Sequence, residues 1–140
     1  MKEILLADDD EDQIFLLQTN LRKHGILTPI RHFDNGKQLI EYLFAHECDE
    51  TRRVVLLDLS MPIMDGMEAL KTIKSDDKLK RLPIIIWTTT NIEEIMEKCY
   101  DLGCNAFITK PMDPTSFWES QLALGKFMQI LSIPKTQKRA

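Results

Sequence analysis

The sequence predicts an α/β fold in which a five-stranded parallel β-sheet is covered on both faces by five helices. Short apolar runs alternate along the chain with stretches whose apolar residues recur every three or four positions, and this alternation is typical of βα units. Two of the runs, Val54–Leu57 and Ile84–Trp87, are continuously apolar, as expected of strands that helices cover on both faces. The five predicted strands span residues 3–7, 28–33, 53–57, 83–88 and 105–109.

The stretches between the strands carry the apolar spacing of amphipathic helices. In the first of them Ile14, Leu17 and Leu21 share one face. This helix is predicted to end at Gly25, because glycine readily adopts the left-handed conformation that closes a helix. The next two helices show the same spacing, with Leu39, Ile40, Leu43 and Phe44 in the second and Met67, Leu70 and Ile73 in the third.

The last two helices are predicted from their start signals. Asn91 followed by Glu94 resembles a capping box and predicts the start of a fourth helix, which Gly103 ends. Asp113–Pro114 predicts an N-cap followed by proline in the first turn of a fifth helix, which extends to about Met128.

Length and charge limit the class of protein. With 140 residues, the chain is expected to form one folded domain over residues 2–128 and a short C-terminal tail over residues 129–140, loose from Pro134 on, with no effector domain. The formal net charge is −4 and there is no long basic stretch, which argues against direct binding of nucleic acid. The basic residues of the tail are expected to be solvated; they are Lys135, Lys138 and Arg139.

The cysteines and the apolar content exclude two further classes. Cys48, Cys99 and Cys104 are odd in number and lack the spacing of metal ligands, so we expect reduced packing residues and no disulfide framework. No apolar stretch approaches the roughly 18 residues that a membrane span requires. The sequence therefore predicts a soluble, cytoplasmic protein that does not enter a membrane.

Four landmarks follow the predicted strands. Asp8–Asp10 follow the first strand, the run Asp58–Gly66 follows the third, Thr88 closes the fourth, and Lys110–Pro111 follow the fifth. In this order the landmarks resemble the receiver domain of two-component response regulators, and the resemblance extends from residue 2 to about residue 128. Each landmark alone is weak evidence for this family. The specific evidence is that all four occur in this order along the chain.

The resemblance implies the CheY-like, flavodoxin-like sheet of strand order 2-1-3-4-5, in which Asp8, Asp9 and Asp58 meet at one edge. Three crowded carboxylates repel one another unless a hard divalent cation lies between them, and Mg²⁺ fits because it takes a few oxygen ligands and keeps several waters. On the family pattern Asp9 and Asp58 would ligate the metal directly. The backbone carbonyl of Ser60 would add a third contact, and Asp8 would act mainly through water.

The resemblance also assigns roles around the metal. Asp58 would be the nucleophile and the phosphoacceptor, and Lys110 would pair with it at rest and with a phosphate oxygen afterwards. The hydroxyl of Thr88 would donate to the phosphoryl group, and Phe107 would be the switch aromatic that fills the space Thr88 vacates. The family has the Lys110–Pro111 peptide bond in cis.

The implied function is that of a stand-alone response regulator, a phosphoacceptor signalling protein rather than an enzyme. It would take a phosphoryl group from a phosphohistidine of a sensor kinase and change the surface formed by helix 4, strand 5 and helix 5. The acidic run, Thr88–Asn91 and Ile108–Pro111 look most like single-domain regulators that partner bacterial phytochromes and other hybrid kinases. Candidate partners are therefore such a histidine kinase, a histidine phosphotransfer protein and a second copy of the chain.

Three other interpretations fit parts of this sequence. A flavodoxin-like redox protein would need a phosphate-cradling loop where this chain has the acidic run Asp8–Asp12. A phosphatase of the haloacid dehalogenase type would need a second aspartate at position 60, which is Ser60. A receiver-like scaffold that no longer accepts phosphate stays open, and failure to accept phosphate would indicate it.

Overall fold

A computed structural model describes residues 2–47 and 51–136, over which five strands alternate with five helices. The strands are β1 Lys2–Ala7, β2 Ile30–Phe33, β3 Arg52–Leu57, β4 Ile84–Thr88 and β5 Ala106–Thr109. The helices are α1 Glu11–Lys23, α2 Gly36–Ala45, α3 Gly66–Ser75, α4 Glu93–Leu102 and α5 Pro114–Ile130.

The strands form one parallel sheet in the order β2-β1-β3-β4-β5, which confirms the predicted fold class. The register of β1 and β3 pairs Ala7 with Leu57. The next residue of each strand, Asp8 and Asp58, therefore leaves the sheet at the same level. This register is the reason why two acidic loops meet at one edge.

Alternate residues of the central strands point to two cores. One face of the sheet packs under α2, α3 and α4, with Val55, Leu57 and Ile86 among its buried residues. The other face packs under α1 and α5, with Leu56 and Trp87 among its buried residues. Because both faces are covered, the central strands carry the unbroken apolar runs seen in the sequence.

The helix starts agree with the prediction except at α4. Asp113 caps α5 and accepts a hydrogen bond from Ser116 N at 2.9 Å. The capping box predicted from Asn91 and Glu94 is wrong, because α4 begins at Glu93 with Ile92 at the cap and no side-chain cap hydrogen bond. This start places Asn91 one position outside the cap.

The helix ends agree with the predicted glycines. Gly25 follows the last turn of α1 with φ +76°, and Gly103 caps α4 with φ +105°. Residues that carry a side chain rarely adopt such backbone angles, so both positions favour glycine.

The predicted loose tail is wrong for residues 134–136. After α5 the chain continues along the end of the sheet where the strands begin, and Ile133 and Thr136 are both buried. Arg52 Nη1 donates to Ile133 O at 2.5 Å, and Arg53 Nη2 donates to Thr136 Oγ1 at 3.1 Å. The segment is held because basic side chains at the start of β3 donate to one of its carbonyls and to one of its hydroxyls.

Other predictions concern the tail and the cysteines. Lys135 is half-buried rather than fully solvated, and its carbonyl accepts from Arg81 Nε at 3.3 Å. Cys99 and Cys104 are buried free thiols, as expected of packing residues.

Three of the residues named in the sequence analysis lie outside the described residues; they are Cys48, Lys138 and Arg139. Within the described ranges, no helix is both long and apolar enough to cross a membrane.

Candidate functional site

Three carboxylates converge at the edge of the sheet where the strands end. Asp8, Asp9 and Asp58 each offer an oxygen, and these oxygens all lie within 4.8 Å of one another. Asp8 and Asp58 are buried, whereas Asp9 is exposed. Three negative charges this close need a compensating positive charge.

Asp8 is held by the protein at every polar atom of its side chain. Its Oδ1 accepts from Asp10 N at 3.0 Å, and its Oδ2 accepts from Lys110 Nζ at 2.9 Å. His32 Nε2 lies 2.8 Å from the backbone oxygen of Asp8 and adds a contact from β2. Both carboxylate oxygens are thus already in use, whereas Asp9 is exposed and freer to bind a ligand.

Asp58 is a buried carboxylate that accepts hydrogen bonds from the backbone of the two residues that follow it. Its Oδ1 accepts from Leu59 N at 2.7 Å, and its Oδ2 lies 3.5 Å from Lys110 Nζ. Burial raises the pKa of Asp58 above its ordinary value; Lys110 lowers it in part, and Asp8 adds to the rise. The charged form of Asp58 is therefore costly without a further cation.

Lys110 is the buried cation of the site. Its ammonium donates to Asp8 Oδ2 at 2.9 Å and to Gln13 Oε1 at 2.7 Å, and these two contacts are shorter than the ion pair with Asp58. Its backbone N–H donates to Thr88 O at 2.6 Å, which fixes the end of β5 beside β4.

The cis peptide bond expected between Lys110 and Pro111 is not found. Every peptide bond of the described residues is trans, including this one. The trans form of an X–Pro bond is favoured by roughly 0.5–1 kcal/mol, and Lys110 reaches Asp8 and Gln13 from it. That expectation is therefore wrong for this structure.

The loop after β3 is anchored tightly beside Asp58. Gly66 N donates to Leu59 O at 2.9 Å, which closes the loop, and Gly36 N donates to Met64 O at 3.0 Å. Ile63, at the tip, is 79 % exposed and has φ +68°, an unfavourable conformation for a β-branched residue. Ser60 is exposed in the same loop, and its backbone N–H also bonds to Asp58.

The two predicted switch residues lie on the neighbouring strands. Thr88 is buried, and its Oγ1 accepts from Thr90 N at 3.3 Å. Phe107 is half-buried against the core under α2, α3 and α4, and its backbone N–H donates to Tyr100 Oη at 3.2 Å. The structure thus links β5 to α4 through Tyr100, a residue that sequence reasoning did not single out.

Sequence reasoning also missed Gln13 and His32. Gln13 contacts Lys110 from the first turn of α1, and His32 contacts Asp8 from the edge strand β2. Gln13 lies beside the apolar position Ile14, so a polar residue next to the buried face of α1 was the available signal. His32 offered none, because its partner is a backbone oxygen.

Comparison with known proteins finds one family over most of the chain. The family model of the response regulator receiver domain matches residues 4–120. The response regulator Rcp1 of Synechocystis sp. is 31% identical over 137 residues, which cover 95% of this chain and 93% of that protein. In the chemotaxis protein CheV2 of Helicobacter pylori, which is 35% identical over 111 residues, the matched part is only 34% of the relative.

Solved structures show the same likeness. The receiver domain from Rhodospirillum rubrum has a TM-score of 0.91 at 33% identity, covering 97% of this chain and 99% of that chain. The Mn(2+)-bound form of Rcp1 and the phosphorylated cyanobacterial phytochrome response regulator RcpA each have a TM-score of 0.85 at 28% identity. In both comparisons the match covers 96% of this chain and 99% of the other chain.

Proposed function

The chain belongs to the response regulator receiver domain family, and from that premise we propose that it accepts a phosphoryl group on Asp58. The observation that carries the proposal is the pairing of a buried carboxylate, Asp58, with a buried ammonium, Lys110, beside two further carboxylates. Receiver-domain response regulators are signalling proteins of two-component systems, and the proposal places this chain's chemistry at the edge of its sheet.

The proposed reaction is a transfer from a phosphohistidine of a sensor kinase. A carboxylate oxygen of Asp58 attacks phosphorus, the P–N bond breaks, and the imidazole leaves and takes up a proton. Lys110 then turns its charge from Asp58 to a phosphoryl oxygen. The chain catalyses this step on itself.

A divalent metal fits the residues that are present. The cluster of Asp8, Asp9 and Asp58 offers only oxygen ligands, and these favour a hard cation. Mg²⁺ would be held by Asp9, Asp58 and the carbonyl of Ser60, with Asp8 acting through water. When bound, it would neutralise charge on the oxygens of the phosphoryl group. The Mn(2+)-bound form of Rcp1 supports a divalent cation in this family.

We propose that the structural change caused by phosphorylation of Asp58 reaches the protein surface through Thr88 and Phe107. The Thr88 hydroxyl accepts from Thr90 and keeps its own hydrogen, which it can donate to a phosphoryl oxygen. Such a donation would pull the end of β4 inward and change the packing of Phe107. Because the N–H of Phe107 bonds to Tyr100 in α4, the change would reach the surface of α4, β5 and α5.

The proposed partner is a sensor histidine kinase of the phytochrome or hybrid type. The support is the likeness to RcpA, a phytochrome response regulator. A histidine phosphotransfer protein and a second copy of the chain, joined through α4 and α5, are further candidates, and a cytoplasmic location is part of the same proposal.

The proposal is tested by intact mass after incubation with acetyl phosphate and Mg²⁺. One added phosphoryl group is expected, and Asp58→Asn and a metal chelator should each abolish it. If no phosphoryl group is added under any condition, the scaffold interpretation replaces this one.

A further inference from the structure

The ammonium of Lys110 is held from the α1 side by Gln13, to which the proposed transfer assigns no role. Gln13 Oε1 lies 2.7 Å from Lys110 Nζ, whereas the nearer oxygen of Asp58 lies 3.5 Å from the same nitrogen. An ammonium group has three hydrogens to donate. Because Asp8 and Gln13 accept two of them, the charge lies closer to α1 than to the nucleophile.

Gln13 is itself fixed at three points. Its backbone N–H donates to Asp10 Oδ1 at 3.1 Å, its carbonyl accepts from Gln121 Nε2 at 3.5 Å, and its side chain accepts from Lys110. Gln121 belongs to α5 and is buried. The first two contacts hold the backbone of Gln13 between α5 and the site, so only its side chain could move with Lys110.

We propose that Gln13 is a positioning residue that holds the Lys110 ammonium away from Asp58 and thereby limits how tightly the site binds a phosphoryl group. The inference rests on the proposed function, since it concerns the lysine that pairs with phosphoryl oxygens. A phosphoryl group on Asp58 offers Lys110 a charged acceptor, and such hydrogen bonds are stronger than those to a neutral amide. The bond to Gln13 opposes the movement toward that acceptor.

Two substitutions should act in opposite directions. Gln13→Met keeps the length of the side chain and removes the acceptor, so Lys110 is freed for the phosphoryl group. Gln13→Glu keeps the shape and makes the acceptor charged, so Lys110 is held more strongly and a negative charge is added near the site. A residue with a merely structural role would weaken binding in both variants.

The test measures affinity for beryllofluoride, a stable mimic of the phosphoryl group, by amide chemical shifts at saturating Mg²⁺. We expect binding to be about three- to tenfold tighter in Gln13→Met and about tenfold weaker in Gln13→Glu, given the usual strength of hydrogen bonds to charged groups. Gln18→Met is the matched control, because Gln18 is half-buried on the same helix and its side chain bonds to no described residue. It should leave the affinity unchanged.

The outcomes separate this inference from the proposed function. If the unaltered protein binds beryllofluoride and both variants at position 13 match it or shift in the same direction, the inference is overturned and the proposed function stands. If the unaltered protein binds none and takes up no phosphoryl group, the proposed function fails and the inference fails with it. Amide spectra of each variant show whether the fold is retained.

Discussion

Gly66 lies against the backbone of Asp58 so closely that a Cβ at position 66 would be 2.1 Å from the Asp58 carbonyl oxygen. This oxygen belongs to the backbone, so it cannot move away by a change of side-chain rotamer. The loop that carries Ser60 is closed by the same glycine, whose N–H donates to Leu59 O. The shape of the site therefore depends on a residue that takes no part in its chemistry.

Gly66→Ala should destabilise the fold and distort the site. Overpacking of this kind costs about 1–3 kcal/mol, and a contact with rigid backbone belongs at the upper end. Gly25→Ala is the matched control, because nothing lies within 4 Å of its added Cβ and only the strain of φ +76° remains, about 1 kcal/mol. Urea unfolding of both variants measures the difference, and equal losses would contradict the account.

Asp58→Asn should raise stability at neutral pH in the absence of metal. The pKa of Asp58 is raised above 3.8 in the folded protein, mainly by burial. As pH rises from 3.8 through the folded pKa, the folded protein keeps this proton longer than the unfolded chain, so stability falls. Thermal unfolding should show the variant above the unaltered protein at pH 7, with the gap closing near pH 4. If Asp58→Asn were less stable than the unaltered protein at pH 7, the predicted direction of the stability change would be wrong.

Mg²⁺ should raise the melting temperature of the unaltered protein. At ten times its dissociation constant, a ligand that binds only the folded state stabilises it by about 1.4 kcal/mol, which is a few degrees for a domain of this size. Asp9→Asn should reduce the shift, since it removes a proposed ligand at an exposed position. Mg²⁺-free and chelator-treated samples provide the baseline. An equal shift in Asp9→Asn would mean that the cation binds elsewhere.

Ile133→Ala should be far more costly than Ile130→Ala. Ile133 belongs to the C-terminal segment, is 4% exposed and packs into the core under α1 and α5, whereas Ile130 is 81% exposed at the end of α5. Removing a buried isoleucine side chain costs about 2–5 kcal/mol, and an exposed one about 0.5 kcal/mol or less. Chemical unfolding of the pair tests whether the segment is docked. Equal, small losses would show that it is loose.

Much of the fold could be predicted because its signals are local. The unbroken apolar strands, the glycines that end α1 and α4, and the Asp113 cap depend on a few neighbouring residues. The meeting of Asp8 with Asp58 was predicted from the strand order that the family resemblance implies, which places β1 beside β3.

The rest depends on contacts between distant parts of the chain. Gln13 at the start of α1 reaches Lys110 after β5, from a helix that packs against α5. The segment after α5 is held by Arg52 and Arg53 on β3. No local pattern records either contact. The predicted start of α4 was wrong for another reason: Ile92 occupies the cap position and makes no side-chain cap hydrogen bond.

Borohydride reduction tests at the level of single residues whether Asp58 accepts the phosphoryl group. Reduction converts an aspartyl phosphate to homoserine, which peptide mass spectrometry locates by residue. After incubation with acetyl phosphate and Mg²⁺, the account predicts homoserine at position 58 alone, and none without the phosphodonor. Homoserine at Asp8 or Asp9, or at no position, would contradict it.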